Sequence, residues 1–410
     1  MADLLIHGIG SLVTNAGRRN GDVAVVAQAA VAVRDGLIVW AGAEADLPGL
    51  FDDLPAVDAG GRAVLPGFVD AHTHLVFTGD RSDEFARRLR GDSYEDILQA
   101  GGGILSTVAA VRAAGRARLV ADSRDRARRL LAAGTTTAEV KSGYGLDTRS
   151  EVALLKAVGD LDTELAIDLV PTFLGAHVVP TEFRDDRDGY VDLVMGDMLE
   201  ACAPLARFVD VFVDRGAFTV DEARRICAAA AARGLRPRLH VEQLTAGGGA
   251  ALAADLQAVS ADHLDHVDED GAAALAAAGT VAVLLPAASF AMGSPQAPGR
   301  MIWDAGVTVA LATDCNPGTS YTESMGFVIA VACVEMGLTP DEAVWAATAG
   351  GAAALGLGDR GRLLPGMLAD LIILDAPNHI HLAYRPATQL VWKVFKQGMP
   401  AADSRPAGGG

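Results

Sequence analysis

The sequence predicts an α/β fold, a (β/α)8 barrel, carrying a small β domain assembled from both chain ends. Three observations lead there. Between residues 65 and 358, short apolar runs alternate with Ala-rich amphipathic stretches. Eight such runs can be counted, and the later ones recur at roughly the 25-residue spacing of one βα unit. Polar residues collect at the ends of those runs, where a barrel of this kind places its chemistry.

Taken in order, residues 1–64 hold LLIHGI, SLVT, VAVVAQAAVAVRDGLIVWAG and PAVDAGG, strand-like runs whose Gly and Asp punctuation reads as hairpins. The barrel strand candidates follow as AVLPGFVDAHTH, TTTAEVK, LAIDLVPTF, FVDVFVD, RPRLHVE, AVSADHL, TVAVLLP and VTVALATD. Helical stretches such as SRDRARRLLAAG, VDEARRICAAAAARG, AGGGAALAADLQ and DEDGAAALAAAG separate them. The long gap after the first strand holds an insertion containing SYEDILQAGGGI, in which Ser93 and Asp96 suit a capping box. Strand patterning returns in GRLLPGMLADLIILDAP and QLVWKVFKQG. Residues 1–64 and 359–410 are therefore expected to form one composite β domain, and 65–358 the catalytic barrel.

Composition excludes several classes. Of 410 residues, 50% are hydrophobic and 21% charged, so the chain is not of the disordered kind. Lys and Arg number 34 against 52 Asp and Glu, a net charge of −18 that argues against nucleic acid and anionic membrane surfaces as partners. The uncharged stretch 272–293 contains Gly279 and Pro286, and reads as a helix followed by a buried strand, not a membrane span. Cys202, Cys227, Cys315 and Cys333 are scattered without a CxxC pair, so neither a disulfide framework nor a structural zinc cluster is expected. The opening MADLLIHGIGSLVTN has no basic stretch leading into an apolar one; with the dispersed cysteines, this gives a cytoplasmic expectation. The apolar helix faces of a barrel would suit a homodimer.

The first barrel strand ends in Asp70-Ala71-His72-Thr73-His74. Alternation along a strand turns His72 and His74 to one side, within reach of a single ion. An HxH pair alone is a weak signal. The fifth strand adds His240, the sixth His263 and the eighth Asp314, each at a strand end, while of nine histidines only His7, His266, His379 and His381 fall away from such places. Neutral imidazoles with a carboxylate suit Zn2+ or Fe2+/Fe3+, and a site with an open position activates water. His72, His74, His240 and Asp314 are the expected ligands of one ion per subunit. His263 would either ligate a second ion or stay free to hydrogen-bond a carbonyl oxygen or the nucleophile. Two ions bridged by a lysine carbamate are disfavoured, because the fourth strand ends at Asp214 with no lysine; Lys141 ends the second instead.

The chain resembles the amidohydrolase superfamily in the order HxH, His, His, Asp on strands one, five, six and eight. Within it, LPGFVDAHTHLVFTGDR, AGTTTAEVKSGYGL, FLGAHVVP, LHVEQL, SADHLD, VAVLLPAASF and ATDCNPGTS are similar to the imidazolonepropionase family. That resemblance implies a metal-dependent cyclic amidohydrolase which opens 4-imidazolone-5-propanoate with water to N-formimidoyl-L-glutamate in L-histidine degradation. It implies substrate contacts by Arg81, whose planar guanidinium suits the propanoate carboxylate, and by Tyr144 and His177. It also places the ring-binding residue three positions after the metal histidine, at Gln243, whereas strand alternation alone would favour Glu242. Gln243 joins His263 and Asp314 in the catalytic set, but glutamine cannot act as a base, so proton transfer falls on Asp314 and His263. Beyond Asp314, Asn316, Gly318 and Thr319 offer an amide, backbone N–H groups and a hydroxyl to a carboxylate. Cys315 is not expected to be a nucleophile, since activated water fills that role.

Two rivals stay open. Another mononuclear amidohydrolase, such as a nucleobase deaminase or a hydantoinase-like hydrolase, shares the ligand set. Arg81, Tyr144, Asn316 and Thr319 speak against it, because a neutral nucleobase needs no anion clamp. The other rival is a silent barrel serving as a scaffold, which would be expected to have lost a metal ligand.

Overall fold

The computed structural model describes residues 2–17, 20–92 and 102–403. Ser93 and Asp96, the expected capping box, lie outside them. Two sheets organise the chain. The first is mixed and contains β1 (Leu4–Val13), β2 (Val25–Arg34), β3 (Leu37–Ala43), β4 (Ala56–Asp58) and β5 (Ala63–Pro66) from the N-terminal side. The second is the barrel: β6 (Phe68–Asp70), β7 (Thr135–Lys141), β8 (Asp168–Ala176), β9 (Phe208–Val213), β10 (Arg236–Val241), β11 (Ser260–His263), β12 (Val281–Leu284) and β13 (Val309–Leu311). The chain then returns to the first sheet with β14 (Leu371–Leu374), β15 (Val391–Lys396) and β16 (Met399–Asp403).

In the first sheet the order is β16-β15-β14-β5-β1-β2-β3, with β4 alongside β1. The two chain ends meet where β5 pairs antiparallel with β14. Asp35 and Gly36, both left-handed at φ 50° and 76°, join β2 to β3. This is the backbone a two-residue hairpin needs, and Asp-Gly supplies it at little steric cost. Gln397 and Gly398, at φ 49° and 72°, make the same kind of turn into β16. That last strand was not evident from the sequence, because MPAAD carries no β-branched or alternating pattern.

All eight barrel strands are parallel and stand in chain order. One expected strand proves to be two. AVLPGFVDAHTH divides at Gly67: Ala63–Pro66 belongs to the first sheet and Phe68–Asp70 to the barrel. The HxH residues therefore follow the strand. Here the barrel closes on itself: Asp314 N–H donates to His72 O (3.0 Å), His74 N–H donates to Cys315 O (3.0 Å), and Thr73 and Cys315 form a parallel bridge.

The helices form where the apolar stripes predicted them, at Arg116–Ala132, Val220–Ala231, Gly249–Asp255 and Glu269–Ala278. Thr219 and Glu222 close a reciprocal capping box on the second of these. Stretch 272–293 resolves into the end of a helix, β12 and the short helix Pro286–Met292. Among the described residues, no helix is long and apolar enough to cross a membrane. Outward-facing strand residues pack under the helices, whereas the inward-facing positions of β7, β9, β10 and β11 carry Glu139, Lys141, Asp210, Arg238 and Asp262, all fully buried.

Candidate active site and metal centre

His72, His74 and His240 are buried, and their nearest ring nitrogens lie within 4.8 Å of one another. His74 Nε2 is 3.4 Å from His240 Nε2, and Asp314 Oδ1 is 3.5 Å from His72 Nε2 and 3.6 Å from His74 Nε2. A tetrahedral ion with bonds of about 2.1 Å holds its donors about 3.4 Å apart. These three separations already match that spacing.

The chemistry of the donors agrees. His72 Nδ1 lies 2.7 Å from Asp262 Oδ2; a carboxylate only accepts, so Nδ1 carries the proton and Nε2 presents its lone pair. That Nε2 is buried with no hydrogen-bond partner among the described residues. His240 Nδ1 sits 3.0 Å from Asp210 Oδ1, and its Nε2 faces His74. Burial, followed by the neighbouring cation Lys141 or neighbouring histidines, holds the pKa values of His72, His74 and His263 well below the ordinary imidazole range. Neutral rings are what a metal requires. The residues present fit one divalent ion.

Beneath the centre lies a buried charge network. Lys141 Nζ is 2.8 Å from both Glu139 Oε1 and Asp210 Oδ2, and Arg238 Nη2 is 3.1 Å from Asp262 Oδ2. Burial opposes the charge of Asp210, but His240 and Lys141 outweigh it and hold this carboxyl well below its usual range. Three carboxylates against two cations leave one uncompensated negative charge directly under the histidines. Such a charge is costly in a dry interior unless a cation sits above it. Sequence reasoning missed this layer, since Glu139, Asp210 and Arg238 look like ordinary strand charges.

Around the mouth, His177 stacks on His74 with ring centroids 5.1 Å apart, and Tyr144 lies 5.5 Å from His177 and 5.6 Å from His74. His177 Nδ1 is 2.9 Å from Gly143 O, and burial pushes its pKa down to about 3. The ring is therefore neutral, protonated at Nδ1, with Nε2 an acceptor. Gly143, at φ 97°, sits in the left-handed region, where a Cβ would also meet His177 Nδ1 at 3.0 Å. His263 is buried beside His72 and His240, at centroid distances of 5.5 and 5.4 Å, with no hydrogen-bond partner for Nδ1 among the described residues.

Three strand ends leave the extended conformation. Glu242 (φ 55°), His263 (φ 77°) and Asp314 (φ 51°) are left-handed non-glycine residues, a strained geometry that redirects the side chain. At Glu242 it breaks the strand alternation. The Glu242 carboxylate turns away and accepts from Ala250 N–H at 3.3 Å, while Gln243 follows half-buried at the strand end. Arg81 packs against the loop after Asp314: a Cβ on Gly318 would meet its Nη1 at 2.3 Å. Glu84 holds the same guanidinium, 2.9 Å from Nε and 2.8 Å from Nη2.

The donors that Asn316, Gly318 and Thr319 were expected to offer are engaged inside their own loop. Gly318 N–H and Thr319 N–H both donate to Asn316 Oδ1 at 2.8 Å, and Asn316 Nδ2 donates to Asp314 O (2.7 Å) and Thr319 Oγ1 (2.9 Å). In this arrangement the loop shapes the seat of Arg81. All four cysteines are free, and burial raises the Cys315 thiol well above its ordinary range, which leaves it protonated.

Residues 63–400 match the model of the amidohydrolase family. The imidazolonepropionase of Mycolicibacterium smegmatis is 52% identical over 399 residues, covering 97% of each chain. The chain belongs to the amidohydrolase family, among the imidazolonepropionases. The imidazolonepropionase of Salinispora arenicola is 51% identical over 405 residues, with 98% of this chain and 99% of that one covered. Among solved structures, the fold is similar to an adenosine deaminase from Xanthomonas campestris with bound zinc, at a TM-score of 0.70 and 21% identity over 97% of this chain and 92% of that one. That likeness is one of fold.

Proposed function

We propose that the chain hydrolyses 4-imidazolone-5-propanoate to N-formimidoyl-L-glutamate, the ring-opening step of L-histidine degradation. The observation that carries this reading is Arg81, seated on the Gly318 loop beside a centre of three histidines and an aspartate. A guanidinium there suits a substrate with a carboxylate tail. The names of the relatives agree with it.

His72, His74, His240 and Asp314 would hold one zinc or iron ion per subunit. When bound, the ion supplies Lewis acidity, polarising a carbonyl oxygen and lowering the pKa of water. Asp314 takes the proton from the attacking water and passes it to the departing ring nitrogen. The amide C–N bond breaks, the carbonyl carbon becomes a carboxylate and the nitrogen keeps the transferred proton. His263, neutral and free at Nδ1, stabilises the oxygen that gains charge during attack. Arg81 pairs with the propanoate, His177 Nε2 accepts from a ring N–H, and Tyr144 and Gln243 border the ring. We place this activity in the cytoplasm, which the four free cysteines support. The division into a barrel at 65–358 and a β domain from 1–64 and 359–410 is also our reading, supported by two sheets that part around Gly67.

The test is turnover of freshly generated substrate by metal-loaded protein. Formiminoglutamate is followed by mass spectrometry, with His72→Ala and Asp314→Ala as controls and elemental analysis naming the ion. Product from the unmodified protein alone is expected. Its absence, with ammonia released from a nucleobase instead, would put the chain with the deaminases.

A further inference from the structure

Glu151 is fully buried, yet it belongs neither to the metal centre nor to the charge network beneath it. It lies in the first turn of the helix Thr148–Glu164, whose N-terminus already has a cap: Asp147 Oδ1 accepts from Ser150 N–H at 2.8 Å. A second carboxylate is not needed there for helix stability. Instead it reaches back over the helix end and collects the turn that follows β7. Oε2 accepts from Gly143 N–H at 2.9 Å, and Oε1 accepts from Gly145 N–H at 2.7 Å and Leu146 N–H at 2.8 Å.

This turn has left-handed backbone at Gly143 and Leu146, so its N–H groups point inward with no sheet to receive them. Arg112 grips the other side of the same backbone. Its Nε donates to Gly145 O at 2.6 Å and its Nη2 to Leu146 O at 3.1 Å. Two residues facing the reaction centre depend on what lies between. Tyr144 is flanked by the bonded amides of Gly143 and Gly145. His177 takes its tautomer from Gly143 O, the carbonyl of the residue whose N–H Glu151 holds.

We propose that Glu151 is a positioning residue that fixes the Tyr144 ring and the His177 tautomer together, through the backbone of the turn between them. The inference rests on the substrate-facing roles given to Tyr144 and His177 above. A carboxylate can do this and an amide cannot. Both oxygens accept, whereas glutamine offers one acceptor and one NH2 group. In Glu151→Gln the NH2 faces either Gly143 N–H or the pair at Gly145 and Leu146, and a donor meets a donor.

Glu151→Gln is examined by amide hydrogen exchange without substrate, and by steady-state kinetics alone and combined with Tyr144→Ala. Exchange at residues 143, 145 and 146 is expected to quicken by about tenfold or more over distant barrel amides. KM should rise about 10- to 100-fold with kcat within about threefold and metal content unchanged. In the Tyr144→Ala background the same substitution should add less than about twofold, because the group it acts through is gone. Penalties that simply multiply, or a loss of stability with KM unchanged, would overturn the proposal. If Glu151→Gln does not fold, Arg112→Gln releases the carbonyl side of the turn, and a rise in KM with kcat unchanged is again expected; an unchanged KM overturns it. A wild-type protein that gives no formiminoglutamate sinks the functional reading instead, and normal exchange at the three amides then overturns the clamp separately.

Discussion

Gly318→Ala is a small change with a calculable effect. The added Cβ would lie 2.3 Å from Arg81 Nη1, 2.8 Å from Cζ and 3.2 Å from Nη2. Ordinary contact begins at 3.4 Å, so the guanidinium must withdraw by 3.4 − 2.3 = 1.1 Å. Glu84 keeps it from settling freely elsewhere, through the 2.9 Å bond to Nε and the 2.8 Å contact to Nη2. Gly318 is not among the left-handed residues, so alanine adds no backbone strain and the fold should be unaffected. A charge-assisted bond to the propanoate contributes about 1.5–3 kcal/mol. Losing one raises KM about 10- to 150-fold, at about 1.4 kcal/mol per tenfold. The carboxylate is remote from the amide that breaks and binds equally in ground and transition states, so kcat should stay within about threefold. Steady-state kinetics decides the matter, with the double variant Arg81→Ala/Gly318→Ala expected to be no worse than Arg81→Ala. An unchanged KM, or a fall in kcat at constant KM, would refute the reasoning.

Asp262→Asn removes the carboxylate that fixes the His72 tautomer; metal affinity, read by chelator competition, should fall about 10- to 100-fold, and an unaltered affinity counts against the assignment. The Asp265 carboxyl is pushed up to about 7 by burial, with Ser289 opposing and Asp214 adding to the shift. Native protein therefore holds this proton more tightly than unfolded chain, so its contribution is fully present below pH 3.8 and lost as pH rises towards about 7. Asp265→Asn should escape that loss, gaining up to about 4 kcal/mol over wild type between acid and neutral pH. Urea unfolding at pH 4.5 and pH 8 measures the difference, and two parallel profiles would disprove it.

The barrel was legible because its later strands recur at a similar interval and most are rich in apolar residues. The histidine cluster stood out for a related reason: packing alone seldom puts a histidine at the end of an apolar run, let alone at several such ends in one chain. What could not be read was how a run is divided. Ala63 to His74 is apolar across a Pro-Gly step, and only the pairing partners show that β5 and β6 belong to different sheets. Nor does a sequence distinguish a buried charge from an exposed one. Glu151 reads as an acid in an exposed first helical turn, and Lys141 as the polar end of a strand, although both are fully buried. The Asn316 loop was hidden differently: its residue types suit an anion, but the bonds its donors make depend on the turn they form with one another. Glu242 leaves the strand through one left-handed dihedral angle, which sequence periodicity cannot report.

The closure of the barrel has a consequence for how the protein is made. Its first and last staves join through the segments that carry His72, His74 and Asp314, and Asp70 also accepts from Thr313 across 243 positions of chain. A nascent polypeptide leaving the ribosome holds His72 and His74 early and waits for the eighth strand to emerge before Asp314 can join them. Contacts of such long sequence separation form late. The barrel can therefore close only once its eighth strand has been synthesised.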